Sequence, residues 1–134
     1  MALQLDAATR NAQADAVETT AGTSPVMSIY PGSTPANCAA ADSGTALVAI
    51  TLPSDWIGAA SGGVKSLLGS WTANATATGT ATHFRLKSSG GTCRMQGSVT
   101  ATGGGGDVTL TTAVVTSIGQ AIAITGFTYT QGNA

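Results

Sequence analysis

Residues 80–100 read TATHFRLKSSGGTCRMQGSVT, and the fold is decided there. Thr82, Phe84 and Leu86 alternate with His83, Arg85 and Lys87. After Ser88-Ser89-Gly90-Gly91, the residues Cys93, Met95, Gly97 and Val99 alternate with Arg94, Gln96 and Ser98. Two period-two runs around four turn-forming residues predict a β-hairpin, since side chains of a strand point alternately to its two faces. The face carrying His83, Arg85 and Lys87 is predicted to be wet, and Cys93 is expected to point inward with Met95.

Period two extends outward from this hairpin in both directions. Upstream, Val26–Tyr30 reads as a strand stopped by Pro31-Gly32, and residues 32–44 (GSTPANCAAADSG) form a turn-rich loop. Residues 46–52 (ALVAITL) make the most apolar strand, ended by Pro53, and residues 64–71 make a further one. Downstream, strands are expected at 107–112 and at 120–130, separated from the hairpin by the turn Gly103 to Gly106. About seven or eight short strands with Gly-rich turns predict an all-β fold, an antiparallel β-sandwich or jelly roll.

A short N-terminal helix breaks the pattern. Asp6 is suited to cap it, residues 7–21 are mostly helix formers, and Gly22 supplies the stop. Its apolar stripe (Leu5, Ala8, Ala12, and Ala16 or Val17) is narrow, so it must lie on another surface. Met1 to Leu5 form an extended arm ahead of it. The expected organisation is therefore an arm and helix at 1–22 and a β-sandwich domain at 23–134.

Composition narrows the function. Of 134 residues only 8% are charged, with five Lys and Arg against six Asp and Glu; an ordinary soluble domain has roughly 25%. Five dispersed basic residues cannot build the phosphate-neutralising stripe that nucleic-acid binding needs. No apolar run approaches the ~18 residues of a membrane span. The opening MALQLDAATR has no basic and apolar leader pattern, which predicts synthesis in the cytoplasm.

Reactive constellations are sparse. His83 is the single His, so any general-base scheme must use it. The carboxylates Asp6, Asp15 and Glu18 are accounted for by capping and solvation on the helix. Asp42, Asp55 and Asp107 sit in turns, where Asp bonds to nearby backbone amides. Gly58 to Ser66 comes close to a phosphate loop, but one extra residue separates the second Gly from Lys65. Cys38 and Cys93 are expected as two free thiols in a reducing compartment; a Cys38–Cys93 bridge is the alternative for a particle that leaves the cell. Trp56 and Trp71 suit core anchors, with an interface position for Trp56 as the competing reading. No catalytic residue, metal site, cofactor or small-molecule substrate is expected.

Taken together, the segments LDAATRNAQADAVE (5–18), IYPGSTPANCAA (29–40), LPSDWIGAASGGVKSL (52–67), TCRMQGSVTATGGGGDVTL (92–110) and TGFTYTQGNA (125–134) resemble small proteins encoded in the structural gene clusters of tailed bacteriophages and prophages. The resemblance covers nearly the whole chain and rests on segment order, with no mechanistic motif. It implies a non-enzymatic virion protein of the capsid decoration or cement type, whose partners are the major capsid protein and neighbouring copies of itself. The expected location is the capsid surface of the virion, after synthesis in the bacterial host. A tail or head-fibre component is the alternative, and a carbohydrate-binding β-sandwich module a more distant one. Met1, Leu3 and Leu5 of the arm, with Trp56, are the expected partner contacts.

Overall fold

The computed structural model describes residues 3–131. Among them are one helix, α1 (Ala7–Ala21), and ten strands: β1 (Val26–Tyr30), β2 (Val48–Thr51), β3 (Val64–Ser66), β4 (Thr72–Asn74), β5 (Gly79–Thr80), β6 (His83–Lys87), β7 (Cys93–Ala101), β8 (Val108–Leu110), β9 (Val114–Val115) and β10 (Ala121–Thr130). Eight of these strands form one curled sheet in the order β2-β1-β6-β7-β8-β10-β3, with β4 also on β10; β5 and β9 pair separately.

The sheet is mixed, where an antiparallel one is expected from the sequence, because β8 runs parallel to β7 with Val99 opposite Val108. Parallel neighbours normally need a crossover of a dozen or more residues. Here residues 102–107 fold straight back onto the strand they leave. Glycine makes that possible: a Cβ on Gly104 would lie 2.7 Å from the Thr100 side chain, and one on Gly106 would lie 2.8 Å from the Thr100 amide. The Asp107 carboxylate then accepts hydrogen bonds from Ser98 N and Oγ, both at 2.8 Å, and ties the turn down.

The predicted hairpin forms, with Phe84 opposite Gly97 and Leu86 opposite Met95, but its register shifts between Leu86 and Lys87. A shift of one residue reverses the face to which a side chain points. Cys93 therefore stands opposite Lys87 rather than inward beside Met95, which corrects the expectation from simple alternation. The expected strand over 64–71 is divided as well. Gly69 has φ +78°, and Trp71 turns into the core while its indole N–H donates to the Leu68 carbonyl.

Large side chains are few, and the fold collects them. Trp56, Trp71, Phe127 and Phe84 are buried in a continuous chain with ring centroids 6.0, 5.5 and 6.3 Å apart. Aliphatic residues such as Met27, Ile29, Ile50 and Leu86 pack around them. Aromatic pairs at such separations contribute beyond their buried area, about 0.5–1.5 kcal/mol each.

Helix α1 begins and ends as expected: Thr9 N donates to Asp6 Oδ1, and Gly22 N donates to the Glu18 carbonyl. Its orientation differs from the expected one. Ala8, Ala12 and Ala16 are exposed, while Ala14 and Ala21 are buried and Val17 packs against the core. The docked face also carries Arg10, Asn11 and Glu18, so polar residues seat this helix on the body.

Candidate functional site

Three places concentrate chemistry. On the outer face of β1 and β6, residues 31–47 fold back across the strands and cover His83 and Arg85, which are 0% and 1% exposed. This overturns the expectation that their face is wet. Asp42 is the hub of the cover. Its Oδ1 accepts from Arg85 Nη1 at 2.6 Å, and its Oδ2 accepts from Tyr30 Oη at 2.9 Å and from Lys87 Nζ. Arg85 Nη2 donates onward to the carbonyls of Cys38 and Ala40. The lysine hydrogen bond holds the Asp42 carboxyl below the usual range, and the same bond raises Lys87.

Cys38 and Cys93 form a disulfide in this cover, with Cα atoms 5.3 Å apart. The expected pair of free thiols is thus corrected. The register shift that brings Cys93 onto the outer face is what lets it meet Cys38. His83 stacks on Tyr30 with centroids 5.3 Å apart and planes 12° from parallel. Its Nε2 is buried without a hydrogen-bond partner among the described residues, and burial lowers its pKa from 6.5. A ring so enclosed serves packing; it has no open face from which to serve as a base.

The second place is the helix seat. Lys65 is 1% exposed and its Nζ lies 2.6 Å from Asp15 Oδ1 and 2.8 Å from Glu18 Oε2. Burial alone pulls the amine pKa down, but the hydrogen bonds to both carboxylates outweigh it and the net shift is upward. Asp15 and Glu18, expected to be merely solvated, are counter-ions. The near-match to a phosphate loop disappears here, since Gly62 and Gly63 make a turn into β3 and Lys65 points to the helix. That turn is also held by α1: Arg10 Nη1 donates to the Gly62 carbonyl at 2.9 Å, and Gly63 N donates to Asn11 Oδ1 at 2.7 Å.

The third place was not foreseen. Strand β8 has three residues, whereas β7 and β10 on either side have nine and ten. It covers β7 only at Val99–Ala101 and β10 only at Ile124–Phe127. Ahead of Val108 the two long strands part around an open cleft of about 460 Å³. Its walls include Met95, Gln96, Tyr129 and Thr130, Phe84 and Phe127 reach it from the core, and Asp107 also lines it. Only unequal strand lengths in one sheet order create this opening, and neither is readable before the pairing is known.

The expected partner contacts separate. Leu3 is 81% exposed, Leu5 is half-buried, and Met1 lies outside the described residues. Trp56 is 0% exposed, and its indole N–H donates to the Gly22 carbonyl at 3.1 Å. It is a core residue beneath the end of α1, so contact with a partner through Trp56 is corrected. With Trp71 also buried, neither tryptophan offers a stacking surface to a sugar. Comparison with protein-family models, with curated proteins and with solved structures gives no match.

Proposed function

We propose that this chain is a non-enzymatic structural protein of a tailed-bacteriophage virion, a decoration or cement protein that binds the major capsid protein lattice and neighbouring copies of itself. The curled sheet with its single aromatic core is read as a body of the sandwich or jelly-roll kind. One observation carries the reading: among the described residues, every charged side chain except Asp55 and Arg94 is engaged within the molecule, capping α1, seating it, holding the cover over β6 or tying down the 102–107 turn.

The outside that remains is mostly Thr, Ser, Ala and Gly, interrupted by the exposed apolar side chains Leu3, Val64, Leu68, Val114 and Ile118. Such a surface lets many copies crowd without strong mutual repulsion and offers apolar contact to neighbours. A disulfide suits a protein that is made in the host and ends on a released particle. The test is reconstitution: purified chain added to heads that lack it should bind at saturable, lattice-related stoichiometry and raise their resistance to heat. Heads that take up none of it would end the proposal.

A further inference from the structure

We infer that residues 33–46, the middle of the cover, are a redox-latched lid. The Cys38–Cys93 bridge holds them shut over His83 and Arg85, and reduction frees them to open while the sheet stays folded. This holds whatever the chain assembles with.

The lid is fastened, not packed. No strand lies within 33–46, and none of these residues is fully buried. It is anchored at both ends, where the Gly32 carbonyl accepts from Thr82 Oγ1 and Leu47 N donates to the Ile29 carbonyl. Between those points, among the described residues, the hydrogen bonds that join it to the body come from body side chains. Arg85 Nη2 reaches the Cys38 and Ala40 carbonyls, and Gln96 Nε2 reaches the Pro35 carbonyl at 2.6 Å. Tyr30, Arg85 and Lys87 reach Asp42. With neither an apolar anchor nor a backbone ladder, such a segment belongs to the low-stability end of a fold. The bridge is the covalent tie between its middle and the sheet.

What lies beneath favours opening. His83 Nε2, Arg85 Nε and Gln96 Oε1 are buried without a hydrogen-bond partner among the described residues. Arg85 and Gln96 face each other across β6 and β7, and His83 stands two residues before Arg85 on the same face. Each of these atoms forgoes the water it would bind in solution, a cost that lifting the lid removes.

Both cysteines are only partly buried, so an external dithiol can reach the bond between them. Its thiolate attacks one sulfur, the S–S bond breaks and the other cysteine leaves as a thiolate. The second thiol then resolves the mixed disulfide. Two electrons and two protons pass to Cys38 and Cys93, and the dithiol is oxidised to its own disulfide. Asp42 remains as the second fastening, so the reduced lid opens and recloses on the body.

His83 reports the opening, because it is the single His and is 0% exposed. Its labelling by diethyl pyrocarbonate, located by mass spectrometry, is compared in three full-length samples. These are the oxidised chain, the chain reduced with dithiothreitol and then freed of reagent, and the C38S/C93S variant. The reduced chain and the variant should label His83 about tenfold faster or more. Low urea should change that rate little, since lifting the lid exposes little surface, whereas amide exchange within β1 and β6 should follow urea steeply. Equal labelling in the oxidised chain and the variant overturns the inference. So does labelling that rises with urea as steeply as the strand amides, which places the opening in the whole sheet. D42N should leave the oxidised chain slow to label; fast labelling of oxidised D42N would show that the bridge is not the latch.

Discussion

Lys65 Nζ sits 2.6 Å from Asp15 Oδ1, joining a strand side chain that is 1% exposed to a helix carboxylate that is 54% exposed. The pair, with Glu18, makes the helix part of the body although its apolar face is little more than Ala14, Val17 and Ala21. A buried ammonium without a counter-ion is costly, so the two carboxylates matter most jointly. Either D15N or E18Q alone is expected to cost about 1 kcal/mol or less, as one exposed partner remains. The double variant should cost about 3 kcal/mol, more than the sum, because Lys65 is then buried and unpaired. Urea denaturation followed by far-ultraviolet circular dichroism measures all three.

The Cys38–Cys93 bridge closes a loop with a sequence separation of 55. In the chain-entropy account a loop of that length stabilises by about 4 kcal/mol. Reduction, or the C38S/C93S pair, should therefore lower stability by roughly that amount while leaving the sheet intact. Asp42 continues to hold the cover through Arg85 and Lys87. Denaturation with and without reductant, compared with the double serine variant, checks it; a change under about 1 kcal/mol would count against a bridge in the folded protein.

Acid should act through His83. Burial lowers its pKa from 6.5, so the unfolded chain takes up the proton first as pH falls. Stability is complete above pH ~6.5 and declines below it, down to the depressed folded value. The lowered pKa of Asp42 adds a second loss only below its ordinary 3.8. Since the chain has one His, the H83F variant should flatten the urea midpoint between pH 7 and 5, and wild type should show a decline there. Raised Lys65 and Lys87 place their own losses above pH ~10.5.

Gly97 marks where the hairpin meets the 102–107 turn. A Cβ there would lie 2.7 Å from Asp107 Oδ2 and 2.8 Å from Phe84 Cε1. G97A should destabilise by about 1–3 kcal/mol through overpacking. D107A removes the acceptor for Ser98 N and Oγ and should cost about 1–2 kcal/mol. Thermal unfolding of the two variants measures both, and the double variant should cost less than the sum because both act on one contact.

Local patterns carried much of the fold. The alternation of 80–100, the Asp6 cap and the Gly22 stop are properties of neighbouring residues, and the hairpin and helix stand where they predict. What escaped depends on contacts distant in sequence. Nothing near His83 and Arg85 announces that residues 31–47 will fold over them, so a polar strand face reads as wet. The bulge at Arg94, one residue out of register, moved Cys93 to the outer face and decided the redox state of both cysteines. The helix stripe misleads because alanine marks both buried and exposed positions, and the polar side chains Arg10, Asn11 and Glu18 that seat the helix give no apolar signal. The cleft beside β8 needed strand order and strand lengths together.

The account turns on whether this low-charge β body belongs to a capsid. The proposal puts the coding sequence in a phage or prophage, whose purified particles can be disrupted into heads and tails, separated on a density gradient, and assayed for the chain by quantitative mass spectrometry. The proposal predicts that it sediments with heads, at a copy number in simple ratio to the major capsid protein. Its absence from particles, or its confinement to the tail fraction, would contradict it.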